Sequence, residues 1–486
     1  MKLNINQSTA LIKTFVQEQL MKWNIPGTAI SIIKNGEVVF REGIGLRNIN
    51  EGRNVTPETI FPIASITKSF TSAALAILED EGKLNWDEPI KNYLPEFDLI
   101  DPYVGNRVTI RDILCHRTGL PRHDMVLENT DFKRMDIHKK ARYLELSRRF
   151  RTHWQYNNLT YVIAGRLVEA LTKMSWEDFV KHRLFDLLEM KSSSFSVEEI
   201  KMSLDYALPY AEVSNNIVEI PFYNINECGP AGSINSNIID MEKWLMLHMS
   251  KGKYKDKQII SEKNIDEMHT PSMIIRDGLP YYFKENPYAA YGLGWFVQPY
   301  RGYNHIYHGG VIDGFGSLIA IMPEEDLGII ILTNKNGSGF FNRMICYSIF
   351  DMILGLDRIP WDLRFKELHN KNKKAVISQI EKIDSMLKEC TEPTCPIKDY
   401  TGSYINPGYG NIKVKFNDNK LQLVYGNKTV NIQHYRNNIF LPCPDDVNNL
   451  PLQIKFNVDR AGNITALEIP FEPNVKDIVF TRNYAV

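Results

Sequence analysis

A serine followed three residues later by a lysine, Ser65-Ile66-Thr67-Lys68, stands at the start of an apolar run. If that run is helical, positions i and i+3 share one face and the ammonium lies beside the hydroxyl. A cation there lowers the proton affinity of nearby oxygens, and a desolvated ammonium itself titrates closer to neutrality. The backbone N–H of a serine at a helix N-terminus has no intrahelical partner and can cradle an oxyanion. Such a group of atoms suits nucleophilic attack on an acyl carbonyl. Spacing alone is cheap, because Ser31-Ile32-Ile33-Lys34 repeats it. That copy sits in a β-rich run, where i and i+3 point to opposite faces.

The elements that must hold Ser65 and Lys68 can be read from periodicity. Phe70, Ala73, Ala74, Ile77 and Leu78 predict a buried helix, with Gly82 as its stop. Upstream, Leu11, Ile12, Phe15, Val16 and Leu20 predict an amphipathic helix, and two β-rich runs flank the hairpin signal Asn35-Gly36. Residues 85–285 read as mainly helical or irregular, and strand character returns in "YGLGWFVQPY", "YNHIYHGG", "FGSLIAIMP" and "LGIIILTN". Strands from both ends of this region predict an α+β fold: one antiparallel sheet flanked by helices, with a helical subdomain inserted. Val376, Ile377, Ile380, Ile383 and Leu387 predict a connecting helix with one packed face. After Pro396, short alternating runs between Asn, Asp and Gly predict a small all-β barrel. The expected domains are therefore 1–358, a link over 359–395, and 396–486.

At 486 residues the chain exceeds one ordinary core. Its 57 basic and 58 acidic residues are well mixed, giving no electrostatic case for nucleic acid or an anionic membrane. The first twenty residues lack the apolar core of a signal peptide, and no run approaches the ~20 apolar residues that span a bilayer. Without a Cys-x-x-Cys pair, the cysteines read as free thiols in a reducing cytoplasm, a local Cys390–Cys395 clip being the alternative. His116 and His123 flank "RTGLPR" without metal-ligand spacing and read as structural, so neither metal nor cofactor is expected. Asp124 and Asp313 read as turn residues near the cleft.

Two further segments complete a pattern. Tyr156-Asn157-Asn158 precedes another predicted helix, and His308-Gly309-Gly310 lies on a predicted strand. In this order, Ser-x-x-Lys, Tyr-x-Asn and His-Gly-Gly resemble the serine β-lactamase and penicillin-binding-protein superfamily, and within it the class C-like, esterase and D-aminopeptidase branch. "DILCHRTGLPRHD" and "GPAGSINSNIIDMEKW" are similar to further segments of that family, and the resemblance covers about residues 7–355. It implies a β-lactamase/transpeptidase-like fold, with Ser65 as the acylated nucleophile and Lys68 as its electrostatic partner. Tyr156 would take the serine proton and later activate water, the choice of base between Lys68 and Tyr156 staying open. Asn158 would bond Lys68 and the substrate amide or carbonyl, and Val311 would supply the second oxyanion N–H. His308 would border the tyrosine and the far end of the substrate, while Gly309 and Gly310 let a substrate approach the backbone. Tyr-x-Asn also occurs at Tyr404, Tyr409, Tyr425 and Tyr435 in the tail, where it predicts strand and turn residues.

One departure bears on the substrate. Penicillin-recognising members commonly carry Lys-Thr-Gly where this chain has His308-Gly309-Gly310. A neutral imidazole and a glycine grip a carboxylate weakly at pH 7. The resemblance thus implies a serine hydrolase acting on small esters, amides or peptides, including D-residue peptides. The rival is a penicillin-binding sensor that acylates with β-lactams and turns over slowly; a second is a tail barrel carrying apolar ligands beside an inactive hydrolase domain. "YTGSYINPGYGNIKVKF" is similar to the lipocalin-like barrels appended to such hydrolases. There the barrel restricts the cleft or builds oligomers, so a homo-oligomer is one expectation and a stabilising appendage the other. Ser65→Ala is expected to abolish labelling by a fluorophosphonate probe and Ser31→Ala to leave it intact; equal labelling of both variants removes the nucleophile assignment.

Overall fold

The computed structural model describes residues 5–277, 283–388, 391–417, 419–443 and 453–484. Strands β1 (Gly27–Lys34) and β2 (Glu37–Asn48) form the predicted hairpin. Its turn residues Asn35 and Gly36 have φ of 54° and 75°, the left-handed pair that matches the twist of the flanking strands. After the short β3 (Arg53–Asn54), the sheet is completed from late in the chain: β4 (Met273–Ile275), β5 (Ala289–Tyr291), β6 (Phe296–Tyr300), β7 (Tyr303–Ile312), β8 (Phe315–Met322) and β9 (Leu327–Thr333). The order is β4-β5-β6-β7-β8-β9-β1-β2-β3, antiparallel at every pairing. The two ends of the chain join at β1–β9, in register from Thr28–Thr333 to Lys34–Leu327. This is the α+β sheet that the sequence predicts.

The longer helices are α1 (Ile5–Trp23), α2 (Thr67–Asp80), α3 (Leu159–Thr172), α4 (Ile238–Met249), α5 (Gly339–Leu354) and α6 (Trp361–Leu387). On one face of β1, Ile30 and Ile32 share a core with Ile12, Val16 and Leu20 of α1 and with Phe341 and Ile345 of α5. On the other face Ser31 Oγ donates to Glu242 of α4 at 2.6 Å. Lys34 pairs instead with Glu325 at 3.5 Å, so the strand copy of Ser-x-x-Lys is split as its geometry demands. Helix α2 lies beyond α4, with the Phe70 and Trp244 rings stacked at 3.7 Å. Unlike an amphipathic surface helix it is buried all round from Thr67 to Leu78, polar residues included.

Contacts divide the chain into two compact units, one of Met1–Pro95, Val108–Arg117 and Thr160–Leu368, the other of Glu96–Arg107, Thr118–Leu159 and His369–Val486. The sheet belongs to the first unit. In the second, strands Gly402–Asn406, Gly410–Asn417, Lys420–Tyr425, Lys428–Arg436, Ile439–Pro442, Ile454–Val458, Ile464–Ile469 and Ile478–Asn483 close into the expected barrel. Its interior is packed with Tyr400, Tyr404, Phe440 and Phe456, rings edge-on at 4.8 to 5.8 Å. Of the apolar residues expected to form one packed face of α6, Ile383 and Leu387 meet Tyr435 and Leu441, while the first turns pack through Trp361 and Phe365. Val376 and Ile377 are exposed, because they follow a run of lysines and asparagines that stays in solvent. Cys115 and Cys346 are buried thiols and Cys395 is a free thiol; Cys390 lies outside the described residues. No helix among the described residues is long and apolar enough to cross a membrane.

Strand β7 comes very close to the turn that leads into α2. A Cβ on Gly310 of β7 would lie 2.2 Å from the Ile63 carbonyl oxygen and 3.0 Å from Ala64 Cβ, in the turn that leads into α2. Ser317, opposite Gly310 on β8, donates its Oγ to that same carbonyl at 2.7 Å. The sequence predicts small residues here so that a substrate can approach the backbone; at Gly310 the approaching chain is the protein's own. Gly310→Ala is expected to push the turn away from the strand and to cost about 1–3 kcal/mol of unfolding free energy, with slower acylation of Ser65. Denaturant unfolding with probe-labelling rates checks it, and an unchanged stability and rate would show that the turn does not depend on this contact.

Candidate active site

Ser65 lies in a single 3₁₀ turn, Ala64–Ile66, that runs straight into α2. The residue before it, Ala64, has φ of 47°, a left-handed conformation that costs a non-glycine residue about 1–2 kcal/mol. The turn is held in place by Ile63 N–H donating to the Ile234 carbonyl at 2.9 Å, besides the Ser317 and Gly310 contacts. Within residues 60–78 Ser65 alone is half-buried, and all the others are buried. The turn therefore presents a single hydroxyl.

Lys68 is fully buried, and its Nζ donates to Ser65 Oγ at 3.1 Å and to the Ala231 carbonyl at 2.8 Å. The helical i, i+3 spacing has brought the pair together as the sequence predicts. The Ala231 carbonyl is delivered by a segment stitched to α2: Thr71 Oγ1 donates to the Pro230 carbonyl at 2.7 Å, and Ile234 N–H to Thr67 Oγ1 at 3.1 Å. The Nζ also stands 5.3 Å from the centre of the Tyr161 ring, a cation–π distance. Tyr161 Oη is turned away and donates to the Leu114 carbonyl at 2.8 Å.

His308 is buried on β7. Its Nδ1 lies 2.7 Å from the Gly309 carbonyl and its Nε2 lies 2.8 Å from Tyr291 Oη. A carbonyl only accepts, so Nδ1 carries the hydrogen and Nε2 accepts from the tyrosine hydroxyl. Burial, and next the Lys68 cation, lower the His308 pKa to about 3, so the imidazole is neutral at physiological pH. Gly309, Gly310 and Val311 follow on the same strand, opposite Leu318, Ser317 and Gly316, with the Val311 side chain exposed. Ser65, Lys68 and this strand are thus neighbours within the first unit.

Tyr156 and Asn158 belong to the second unit, immediately before α3. The Tyr156 ring lies 6.0 Å from that of Trp154 and 5.4 Å from the Arg122 guanidinium. Asn158 Nδ2 donates to Asp124 Oδ1 at 3.2 Å. Asn157 points inward, buried, and donates to the Leu120 and Pro121 carbonyls. Tyr156 and Asn158 are half-buried, so the outer residues of Tyr-x-Asn face outward while the middle one anchors the segment.

Three contributors lie outside the Ser-x-x-Lys, Tyr-x-Asn and His-Gly-Gly motifs. They are the Ala231 carbonyl, the Tyr161 ring and the Tyr291 hydroxyl. His116, read from the sequence as structural, is buried with its ring 5.3 Å from Tyr161 and 4.8 Å from Tyr291, which links these two tyrosines. The "GPAGSINS" segment is the available signal for Ala231, and nothing in the spacing singles out Tyr291.

Comparison with known proteins places these observations. Residues 11–348 match the family model described as Beta-lactamase, and residues 388–482 match a domain of unknown function, DUF3471. Unguisins hydrolase ungD' of Aspergillus campestris is 29% identical over 432 residues, covering 85% of this chain and 78% of that protein. Protein flp of Staphylococcus aureus strain MW2 is 28% identical over 335 residues, 68% of this chain and 64% of its own length, so less than two thirds of flp is spanned. Among solved structures, the octameric penicillin-binding protein homologue from Pyrococcus abyssi superposes with a TM-score of 0.62 at 22% identity, covering 97% of this chain and 99% of that one. A class C beta-lactamase superposes at 0.59 with 20% identity, covering 72% and 97%. Because the family match runs through the sheet, the inserted helices and the turn that bears Ser65 alike, the chain belongs to the beta-lactamase family of serine hydrolases.

Proposed function

We propose that the protein hydrolyses small esters, amides or peptides, D-residue peptides among them, through an acyl-enzyme on Ser65. The observation that carries this reading is the 3.1 Å hydrogen bond between the buried Lys68 ammonium and the half-buried Ser65 hydroxyl. Ser65 Oγ attacks the acyl carbonyl as its proton passes to Tyr156 held as phenolate, either directly or through Lys68, which gives one of its own protons to that phenolate and takes the serine's. The Ser65 and Val311 N–H groups stabilise the oxyanion, and Asn158 orients the substrate amide or carbonyl. The leaving group departs with the proton. Water, activated by the tyrosine, then attacks the acyl carbon and releases Ser65.

The choice of substrate rests on His308. The position that commonly carries a lysine in penicillin-recognising relatives holds here an imidazole whose pKa is lowered to about 3. An uncharged ring held by Tyr291 gives no cation to bind a substrate carboxylate there at pH 7. That favours uncharged acyl donors or peptides recognised from the amino end over β-lactams.

The test is a panel of short-chain nitrophenyl esters, D- and L-aminoacyl anilides and a chromogenic cephalosporin. Ester or D-aminoacyl turnover is expected to exceed cephalosporin turnover. A cephalosporin burst without turnover, and no ester hydrolysis, would make the protein a β-lactam sensor instead. Tyr156→Phe is expected to lower kcat by about 10²-fold or more with KM nearly unchanged, since it removes a proton-transfer group. Wild-type turnover in that variant would put the base elsewhere.

A further inference from the structure

We propose that the C-terminal barrel is a positioning element for the Tyr156–Asn158 segment, acting through a hydrogen-bonded seam centred on His123, with Tyr409 and Glu472 as positioning residues. The inference rests on the reading of Tyr156 as the proton-transfer group. All of the residues involved lie within the second compact unit.

His123 is buried with φ of 46°, a left-handed conformation that has to be held by its surroundings. The barrel holds it twice. Its backbone N–H donates to Glu472 Oε2 at 2.9 Å, and its Nδ1 lies 2.6 Å from Tyr409 Oη. Nε2 faces the Glu145 carbonyl at 2.9 Å, so Nε2 carries the hydrogen and Nδ1 accepts from the Tyr409 hydroxyl. Burial lowers the His123 pKa and raises that of Tyr409, which keeps both groups in the neutral forms this bond requires. Glu472 is itself fixed, its Oε1 accepting from Asn474 N–H and Nδ2 at 3.1 and 2.8 Å.

More of the barrel follows the same line. Tyr425 Oη lies 2.8 Å from the Met125 carbonyl, and Asn129 Nδ2 donates to the Tyr409 carbonyl at 3.0 Å. Lys428 pairs with Glu128 at 3.1 Å. A Cβ on Gly426 would stand 2.9 Å from Thr130 N, which shows how closely the chains approach. Tyr409, Gly426 and Glu472 lie in the first, third and seventh strand connections, and alternate connections of an up-and-down barrel share one end. These three connections therefore lie at one rim and face residues 123–130.

The other side of His123 is the candidate catalytic segment. Both of its chain neighbours touch the motif: Arg122 over the Tyr156 ring and Asp124 accepting from Asn158. Leu120 and Pro121 hold Asn157. A left-handed residue pinned at its N–H and its ring fixes the directions in which both neighbours leave it. Loss of either pin lets Arg122 and Asp124 move, and Tyr156 and Asn158 move with them. Proton transfer tolerates such displacement poorly, an ångström costing up to about 10²-fold in rate.

Steady-state kinetics of the full chain with 4-nitrophenyl acetate test the inference. Tyr409→Phe keeps the ring and deletes one hydroxyl; Glu472→Ala deletes the backbone pin, and Glu472→Gln retains an acceptor for it. Tyr409→Phe and Glu472→Ala are expected to lower kcat about tenfold with KM within twofold, while melting curves show both folded at the assay temperature. Glu472→Gln is expected to stay within about twofold of wild type. In a Tyr156→Phe background Tyr409→Phe should add a clearly smaller loss than in the wild type, because the part of its effect that passes through that phenol is already gone. Wild-type kcat in Tyr409→Phe and Glu472→Ala, or an equal loss in both backgrounds, overturns the positioning role. Should Tyr156→Phe alone turn over normally, the catalytic reading of Tyr156 fails, and it does so in a measurement independent of the barrel variants.

Discussion

An ammonium taken out of water must be met by acceptors, since an uncompensated buried charge costs several kcal/mol. Lys68 sets that demand at the centre of the first unit. Ser65 Oγ, the Ala231 carbonyl and the face of Tyr161 answer it, and each of these has to be delivered by a different element. The Ala231 carbonyl arrives because Thr67 and Thr71 tie residues 230–234 to α2. Pro230 in turn lies where a side chain on Gly165 of α3 would collide with it, at 2.2 Å. The cation thus fixes the mutual placement of α2, α3 and the turn between them and α4. Its field, added to burial, is also a reason for His308 to stay neutral.

The same arrangement accounts for the strain beside the candidate nucleophile. A helix buried all round leaves no exposed face on which to mount a reactive hydroxyl. The chain reaches the surface instead by a left-handed step at Ala64, which turns Ser65 partly out while Lys68 stays in. Such a step persists only if its surroundings over-determine it. Here they do so through the backbone, with Ile63 bonded on its N–H by Ile234 and on its carbonyl by Ser317. Gly310 is small because the strand must come close enough to make that second bond. That short stretch of β7 therefore serves structural support at Gly310.

How much of this was legible in the sequence follows from what periodicity can report. It tells which face of one element is buried, and so the hairpin at Asn35-Gly36, the sheet built from both ends of the chain, and α2 were all readable. It also separated Ser65 from Ser31, because helix and strand put i+3 on different faces. It does not tell which distant residue fills a given contact. Tyr161 and Tyr291 read as core tyrosines, and only the fold shows one ring under the Lys68 ammonium and one hydroxyl on His308. Val376 and Ile377 misled for the opposite reason: apolar residues at helical spacing predict a packed face even where no neighbour covers it. The four Tyr-x-Asn copies in the tail were read as strand and turn residues, and they lie on or beside barrel strands. That Tyr409 and Tyr425 nonetheless point at residues 123–130 needed three dimensions.

The two halves of the candidate machinery differ in what supports them. Lys68 sits on a buried helix that holds its own backbone hydrogen bonds, and Ser65 on the turn that opens that helix and is tied to the Ile234 segment and to a sheet strand. Residues 144–158 have no regular helix or strand, so their backbone needs partners from outside. Within the second unit the barrel is well suited to provide them. A closed sheet has no open edge, its interior aromatic cluster stabilises it independently of its loops, and those loops are then available for bracing. A tail that only stabilised itself would have no use for a buried tyrosine hydroxyl and a carboxylate aimed at one strained histidine; bracing an irregular segment requires groups of that kind.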